Sequence, residues 1–575
     1  MATIENPENL TLGTSLPPGN RHGVSVHLPK WADTVGWASR EQRVLDAMNT
    51  GYPRFFMPRI AHHLAARLLE LRREAENRPD GDTEPEKMAM LLDSARHAHM
   101  CLDALPKWEN IGRELGPGEI EVYVVTWNGQ ITPLHDQGDH EQREESPVLG
   151  KEDILLIAYP QDLAQPAKAF WQHTGFGISS RRATYWLKHA PFLTGKPASP
   201  TTNAITTAAG VNTARDAIRT RIAEGYSLPS QNLHVSSSDV FLFPTGMTAI
   251  TETAHALKSL RPADPSKPYH AVVFGFPYVD TFKTLLHTHP HPFTLTLLPS
   301  TPSALNDLTH RLTTDPTFHP DALFTEVPGN PLLQTPDLHA LFQLAQQHDF
   351  VLVVDDTIGT YASLGLLAEC DVVCTSLTKM FSGACDVMGG SVVLNPRGRV
   401  YSALRSALSR EREETDRAWF GEDVLVMERN SRDFKERMGK ASGNAEVVVG
   451  MLRASQVVRE VFYPLGSETQ EGYDRYRVEG GGYGFLLSVK FERAEQAVAF
   501  YDALDVAKGP SLGTNFTLCC AYTLLAHYRE LAWAAEYGVV EDLVRISVGL
   551  EDVEWLRERV GRALAAAEEV GTVGA

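Results

Sequence analysis

Three short segments carry side chains whose types and spacing could do chemistry together. An apolar run at 351–354 ends in Asp355-Asp356-Thr357. A carboxylate at the end of a buried strand needs a cationic partner, because burying it alone costs several kcal/mol. A second apolar run ends in Thr375-Ser-Leu-Thr-Lys379, and a lysine amine in a partly desolvated site can condense with a carbonyl. The third segment, Phe243-Pro-Thr-Gly-Met-Thr248, reads as a strand, a glycine turn and a helix start. Free N–H groups at a helix N-terminus, with the dipole behind them, bind phosphate. An aldehyde-accepting lysine (Lys379), an acid for a ring nitrogen (Asp355) and a phosphate cradle (Gly246, Met247) are together what pyridoxal 5'-phosphate (PLP) requires. Alone, Lys379 reads as a surface lysine, Asp355 as a turn residue and Gly246 as an ordinary helix start. Their order and their shared placement at strand ends join them.

The elements that must position these groups are legible around them. From about 200 to 396, short β-branched or aromatic runs alternate with helix-length amphipathic stretches. Strands are expected at 240–243, 271–274, 293–298, 322–325, 351–354, 372–375 and 391–394, with helices such as 248–260 and 336–348 between them. That alternation predicts an α/β fold with a large, mostly parallel sheet covered on both faces. Ligands of such sheets sit at the carboxyl ends of the strands. After about 440 the pattern changes to a smaller α+β domain, with strands at 483–490 and 544–548 and helices at 494–504 and 551–569. The first 165 residues read as an extra region. Helical pattern covers 59–76 and 86–105 around a polar link at 77–85, and apolar strands follow at 120–127 and 154–158. The stretch 133–147, with His135 and His140, reads as a surface loop. The expected division is an N-terminal extension domain (1–165), a large α/β domain (166–440) and a small C-terminal α+β domain (441–575).

Whole-chain features narrow the function. At about 150 residues per domain, 575 residues make roughly three or four domains. A hydrophobic content of 43% with 22% charged residues excludes a mostly disordered chain. Acids outnumber bases 72 to 53, for a net charge of −19, which argues against nucleic acid and against an anionic membrane surface as partners. No apolar stretch approaches the roughly 20 residues of a membrane span. The acidic start Met1-Ala-Thr-Ile-Glu-Asn-Pro-Glu has no apolar signal core, so the expected location is cytoplasmic. The six cysteines show no disulfide-framework spacing; Cys370 and Cys374 fall at a strand entry, and Cys519-Cys520 reads as packing. The cluster His287, His289 and His291 is broken by Pro290 and reads as a loop, so no metal site is expected.

With these residues in view, the chain resembles the Cys/Met-metabolism PLP-dependent (trans-sulfuration) enzymes, of aspartate-aminotransferase-like fold (fold type I). The resemblance rests on Val353-Val-Asp-Asp-Thr357, Ser376-Leu-Thr-Lys379 and Gly389-Gly390. It also rests on Thr245-Gly-Met247, Tyr278-Val-Asp-Thr281, Glu326-Val-Pro-Gly-Asn-Pro331, Ser511-Leu-Gly513 and Arg545-Ile-Ser-Val-Gly-Leu-Glu551. It covers about residues 165–570. Phe170-Trp-Gln-His-Thr-Gly175, Gly177-Ile-Ser-Ser-Arg181 and Gly51-Tyr-Pro-Arg-Phe-Phe56 make it most similar to the long fungal-type cystathionine γ-synthases.

The resemblance implies roles. Lys379 would carry PLP covalently and shuttle protons, and Asp355 would pair with the ring nitrogen. Gly246 and Met247 would bind the phosphate through backbone N–H groups, with hydroxyl help from Ser376 and Thr378. Tyr278 would stack on the ring and Asn330 would meet its 3-oxygen. Arg545 would clamp a substrate α-carboxylate, with Ser511 lining the same pocket. Arg181 would reach the phosphate of a neighbouring subunit, which implies a homo-oligomer, a dimer or tetramer, with the active site at the interface. The implied activity is γ-replacement on an O-acyl-L-homoserine, with cysteine giving cystathionine. Replacement with another sulfur, carbon or nitrogen nucleophile, a cystathionine or methionine γ-lyase, and a non-catalytic interaction protein of the same fold are the competing readings. Plainer roles stay open for Tyr278 (packing beside Pro277), Ser511 (a turn start) and Arg545 (a cross-sheet ion pair). Three positions depart from the family pattern: Ser179 stands where a tyrosine is common, Asp356 where asparagine is usual, and Ala384-Cys385 where His-Ser is common. The first 165 residues are surplus to the chemistry so described.

Overall fold

The computed structural model describes residues 3–52, 55–75, 87–107, 113–116, 118–134, 149–195, 208–264, 266–287 and 291–572. The expected polar link at 77–85, the loop at 133–147 from residue 135 onward with His135 and His140, and His289 lie outside the described residues.

All seven strands expected between 240 and 394 form one sheet. Its order is Val240–Phe243, Gly390–Leu394, Val372–Ser376, Val351–Asp355, Ala322–Glu326, His270–Phe274 and Thr294–Leu298. Five neighbours from Val372–Ser376 to Thr294–Leu298 pair in parallel, and Gly390–Leu394 runs against both of its neighbours. Along each strand successive side chains point to opposite faces. Val240, Val272, Leu352, Val354 and Val373 enter one core, while Phe241, Val273, Val351, Val353 and Val372 enter the other. With both faces buried, these strands read as unbroken apolar runs. Helix Gly246–Lys258 packs Ala249, Ile250, Ala254 and Leu257 into the second core, and helix Leu338–His348 covers the first.

The C-terminal region is a five-stranded sheet in the order Val458–Phe462, Leu486–Phe491, Val544–Ser547, Leu518–Ala521 and Ala507–Lys508. Helices Phe434–Ala454, Ala494–Ala503 and Val553–Thr572 cover it. Cys519 and Cys520 lie on an inner strand, and all six cysteines are buried and free.

Two different structures precede the large sheet. One is an antiparallel sheet in the order Lys87–Leu92, Ile154–Pro160, Glu121–Val125 and Ile131–Pro133. Helices Arg59–Ala75 and Ser180–His189 cover one face, and Ala95–Ala104 and Ala164–Thr174 the other. Ile154–Pro160 sends Leu155, Ile157 and Tyr159 to one core and Ile154, Leu156 and Ala158 to the other. The helix expected over 86–105 is instead a strand, Lys87–Leu92, followed by helix Ala95–Ala104. Met-Ala-Met-Leu-Leu are good helix formers, and pairing along the whole of Ile154–Pro160 overrides that preference. Ser94 then caps the helix by accepting from the His97 N–H.

The other structure is the segment ahead of residue 53, which docks on the C-terminal sheet. Val24 N–H donates to Cys385 O (2.9 Å) and Leu28 N–H to Lys508 O (2.8 Å). Ser25 Oγ donates to Pro510 O, Trp31 N–H to Asp502 Oδ1 and Tyr501 Oη to Leu28 O. Val26, Leu28, Val44 and Met48 share a core with Cys520, Tyr522 and Leu525. A Cβ at Gly509 (φ +152°) would lie 2.0 Å from Val26 O, so the close approach of the two chains requires glycine there. Among the described residues no helix is long and apolar enough to cross a membrane.

Candidate functional site

The carboxyl ends of the large sheet's strands converge on one pocket. Strand Val240–Phe243 leads through Pro244 and Thr245 into helix Gly246–Lys258; His270–Phe274 leads to Tyr278; Ala322–Glu326 and Val351–Asp355 end on carboxylates; Val372–Ser376 ends on Ser376, three residues before Lys379. The pocket is lined by Gly246, Met247, Tyr278, Asn330, Asp355, Ser376, Thr378, Lys379, Ser511 and Arg545. Of the residues singled out in the sequence, Arg181 alone is elsewhere.

Lys379 is 7% exposed, and its Nζ donates to Tyr52 Oη at 2.8 Å and to Ser511 Oγ at 3.2 Å. Asp355 Oδ1 accepts from the Thr357 N–H at 2.9 Å. Burial raises the Asp355 pKa, against the pull of Thr357 and the Lys379 charge. Glu326 stands beside Asp355 in register. Burial and then the Asp355 charge push Glu326 upward, against the N–H groups of Tyr278 and Asn330, which donate to its two carboxylate oxygens.

At the head of helix Gly246–Lys258, Thr245 caps the helix by accepting from the Thr248 N–H, and Ala249 N–H reaches Thr245 O. The N–H groups of Gly246 and Met247 then have no acceptor within the helix. A Cβ on Gly246 would meet the Ser376 Cβ at 2.7 Å. Only glycine lets this turn lie against Ser376 and leave a cradle. Thr378 Oγ1 donates to Gly389 O and accepts from Gly389 N–H, so it also braces the loop that returns to the sheet.

Arg545, 5% exposed on strand Val544–Ser547, donates to Asn330 Oδ1 and to Ser511 O, each at 2.8 Å. Its guanidinium lies 4.7 Å from the centroid of Tyr522. Among the described residues no carboxylate forms an ion pair with it, so its charge faces the pocket without an internal counter-ion. Asn330 Nδ2 donates to Tyr522 Oη, which fixes the amide between the two.

Arg181 lies on a separate cleft with Arg21, His22, Lys188 and His189. Its Nη1 donates to Asp423 Oδ1 at 2.8 Å. Burial and the charges of Arg181, Arg21 and Lys188 hold His22 down at about 4. The three departures have local explanations. Ser179 caps helix Ser180–His189 and donates to Asp423 Oδ2. Asp356 faces away from the pocket and accepts from Tyr226 Oη and Thr375 Oγ1, each at 2.6 Å; burial raises its pKa to about 7. Cys385 offers its carbonyl to Val24 of the docked N-terminal segment.

Tyr52, Glu326 and Tyr522 are among the pocket residues that the sequence does not single out as site residues. Glu326 and Tyr52 both lie within quoted motifs, and the burial of a glutamate at a strand end was the available signal for the first. Nothing local marks Tyr522, and the motif around Tyr52 does not mark its contact with Lys379.

The fold and the pocket together are those of a PLP-dependent enzyme, and the similarities to known proteins agree. The model of the Cys/Met metabolism PLP-dependent enzymes matches residues 232–565, and that of the fungal trans-sulfuration enzyme N-terminal domain matches residues 62–179. The chain belongs to the Cys/Met metabolism PLP-dependent enzyme family. It is 36% identical to a cystathionine γ-synthase of Neurospora crassa over 97% of this chain and 98% of that one. It is also 31% identical to an alanine racemase of Aspergillus violaceofuscus over 98% of each. A crystal structure of cystathionine γ-synthase from Xanthomonas oryzae pv. oryzae, in complex with aminoacrylate and cysteine, superposes with a TM-score of 0.52 at 25% identity, covering 62% of this chain and 86% of that one. The residues present suit PLP: a cradle at Gly246 that a Cβ would fill, a buried lysine amine and a buried carboxyl share one pocket.

Proposed function

We propose that the chain catalyses γ-replacement on an O-acyl-L-homoserine, with cysteine as the nucleophile and cystathionine as the product. The observation that carries this reading is the convergence of Lys379, Asp355 and Arg545 on one pocket. Full-length similarity to the Neurospora crassa cystathionine γ-synthase supports the choice of reaction.

PLP, when bound, acts as an electron sink that makes protons on the attached substrate removable. Lys379 would hold it covalently. The N–H groups of Gly246 and Met247, with the Ser376 and Thr378 hydroxyls, would hold its phosphate. Asp355 would pair with the ring nitrogen; a cation there would offset the burial that raises its pKa in the free chain. Tyr278 would stack on the ring, and Asn330 would meet the ring's 3-oxygen while its own Oδ1 steers Arg545. Arg545 takes the substrate α-carboxylate as the counter-ion it lacks, which places Cα beside Lys379. Ser511 closes the same side. The Lys379 amine removes the proton at Cα and then one at Cβ, since held closeness rather than basicity sets its effectiveness. The acyloxy group leaves Cγ as a carboxylate, the cysteine thiolate adds there, and Lys379 returns a proton to Cβ and then to Cα. Arg181 would reach the phosphate held by a second copy of the chain, in a homo-oligomer working in the cytoplasm.

The test is a product assay. The protein is given O-acetylhomoserine with cysteine, sulfide, or carbon and nitrogen nucleophiles, and products are followed by mass. Cystathionine is expected to form at least about 10-fold faster than any other adduct. Faster formation of another adduct, or release of 2-oxobutanoate with no adduct, would overturn the reading.

A further inference from the structure

Two of the pocket's side chains, Tyr52 and Phe55, come from the N-terminal part of the chain rather than from either sheet. Tyr52 ends the docked N-terminal segment, and its hydroxyl stands 2.8 Å from Lys379 Nζ. The same Nζ lies over the Tyr52 ring, 4.3 Å from its centroid. Tyr52 packs edge-on against Phe55 (5.3 Å between centroids), and Phe55 packs on Trp37 (5.6 Å). Trp37 belongs to helix Trp31–Ala38, which is tied through Trp31 N–H and Asp502 to the helix Ala494–Ala503 that covers the C-terminal sheet. The aromatic row therefore sets the Tyr52 hydroxyl from a fixed base. Tyr52 and Phe55 both line the pocket.

The geometry points to Tyr52 as a further catalytic residue, which holds the Lys379 amine in line with the pocket throughout turnover. A hydroxyl both accepts and donates. It takes a hydrogen bond from the amine when that group is an ammonium and gives one to its lone pair when it is neutral. Ser511 Oγ, at 3.2 Å, does the same from the opposite wall. Between two such hydroxyls the amine keeps its place as it gains and loses a proton, which is what a lysine serving more than one carbon requires. The N-terminal segment is thus part of the active site. This inference rests on the assignment of Lys379 as the PLP-bearing lysine, and not on the identity of the substrate.

The test is Tyr52→Phe in the full chain, which keeps the ring and its packing and removes the hydroxyl. The main readout needs no substrate: the rate at which the cofactor-free chain takes up PLP, followed by visible absorbance. A hydrogen bond to a charged group is worth enough that its loss should slow uptake about 10-fold, with the final occupancy unchanged. With substrate, kcat should fall by about the same factor while KM stays within about twofold. The melting temperature should stay within about 2 °C of the parent. Uptake within about twofold of the parent overturns the proposal. So does a slow uptake accompanied by a lowered melting temperature and lower final occupancy, since that is the mark of a structural role. Should the chain prove inactive on O-acylhomoserines, the uptake rate still decides the matter.

Discussion

Two of the regions that wall the pocket are built in opposite ways. The large sheet delivers Glu326, Asp355 and Ser376 from three neighbouring strand ends held in ladder register, with Lys379 three residues beyond the last and Gly246 at the head of the helix that follows the edge strand. The N-terminal segment delivers Tyr52 with little regular structure of its own, held by hydrogen bonds to Cys385, Lys508 and Asp502 and by a row of aromatic rings. The sheet side is rigid because removing any strand would expose both cores. The segment side is positioned by a few contacts that single substitutions can loosen. The difference teaches that the sheet sets which chemistry is available, while the segment adjusts how well its central amine is held.

Substitutions on each side test that contrast. The largest effect is expected for Lys379→Ala, which removes the covalent anchor and the proton shuttle together; turnover should fall by about 10⁴-fold or more, measured by product formation. Synthase activity retained in that variant would sink the assignment. Arg545→Ala leaves the sheet intact and removes two charge-assisted donors from the pocket. It should raise KM for the acylhomoserine by roughly 100-fold in steady-state assays. A smaller effect is expected on the segment side. Gly509→Ala places a methyl against Val26 O and should lift the segment from its seat. It should lower the melting temperature by roughly 2 °C and slow PLP uptake towards the Tyr52→Phe value. If Gly509→Ala instead abolished cofactor binding, the segment would be as essential as the sheet and the contrast would fail.

The same contrast explains what the sequence revealed. Strands buried on both faces read as unbroken apolar runs, so all seven strands of the large sheet were legible, and the groups ending them drew attention because a charge there needs a reason. Lys379, Asp355 and Gly246 could therefore be found one strand at a time. Tyr52 could not, since its partner lies 327 residues further along the chain and neither end marks the other. Glu326 stood inside a recognised motif, yet its work, receiving the backbone N–H groups of Tyr278 and Asn330, is visible only once the loop is folded. Lys87–Leu92 reads as helix because its residues favour helices, and only its pairing with Ile154–Pro160 makes it a strand.

The central claim is that Lys379 carries PLP in this pocket, and it has a direct chemical test. The PLP-loaded full chain is reduced with borohydride, digested and mapped by mass spectrometry. The account predicts the reduced cofactor on the peptide containing Lys379 and on no other lysine. Finding that peptide unmodified, with the cofactor on another lysine or on none, would contradict it.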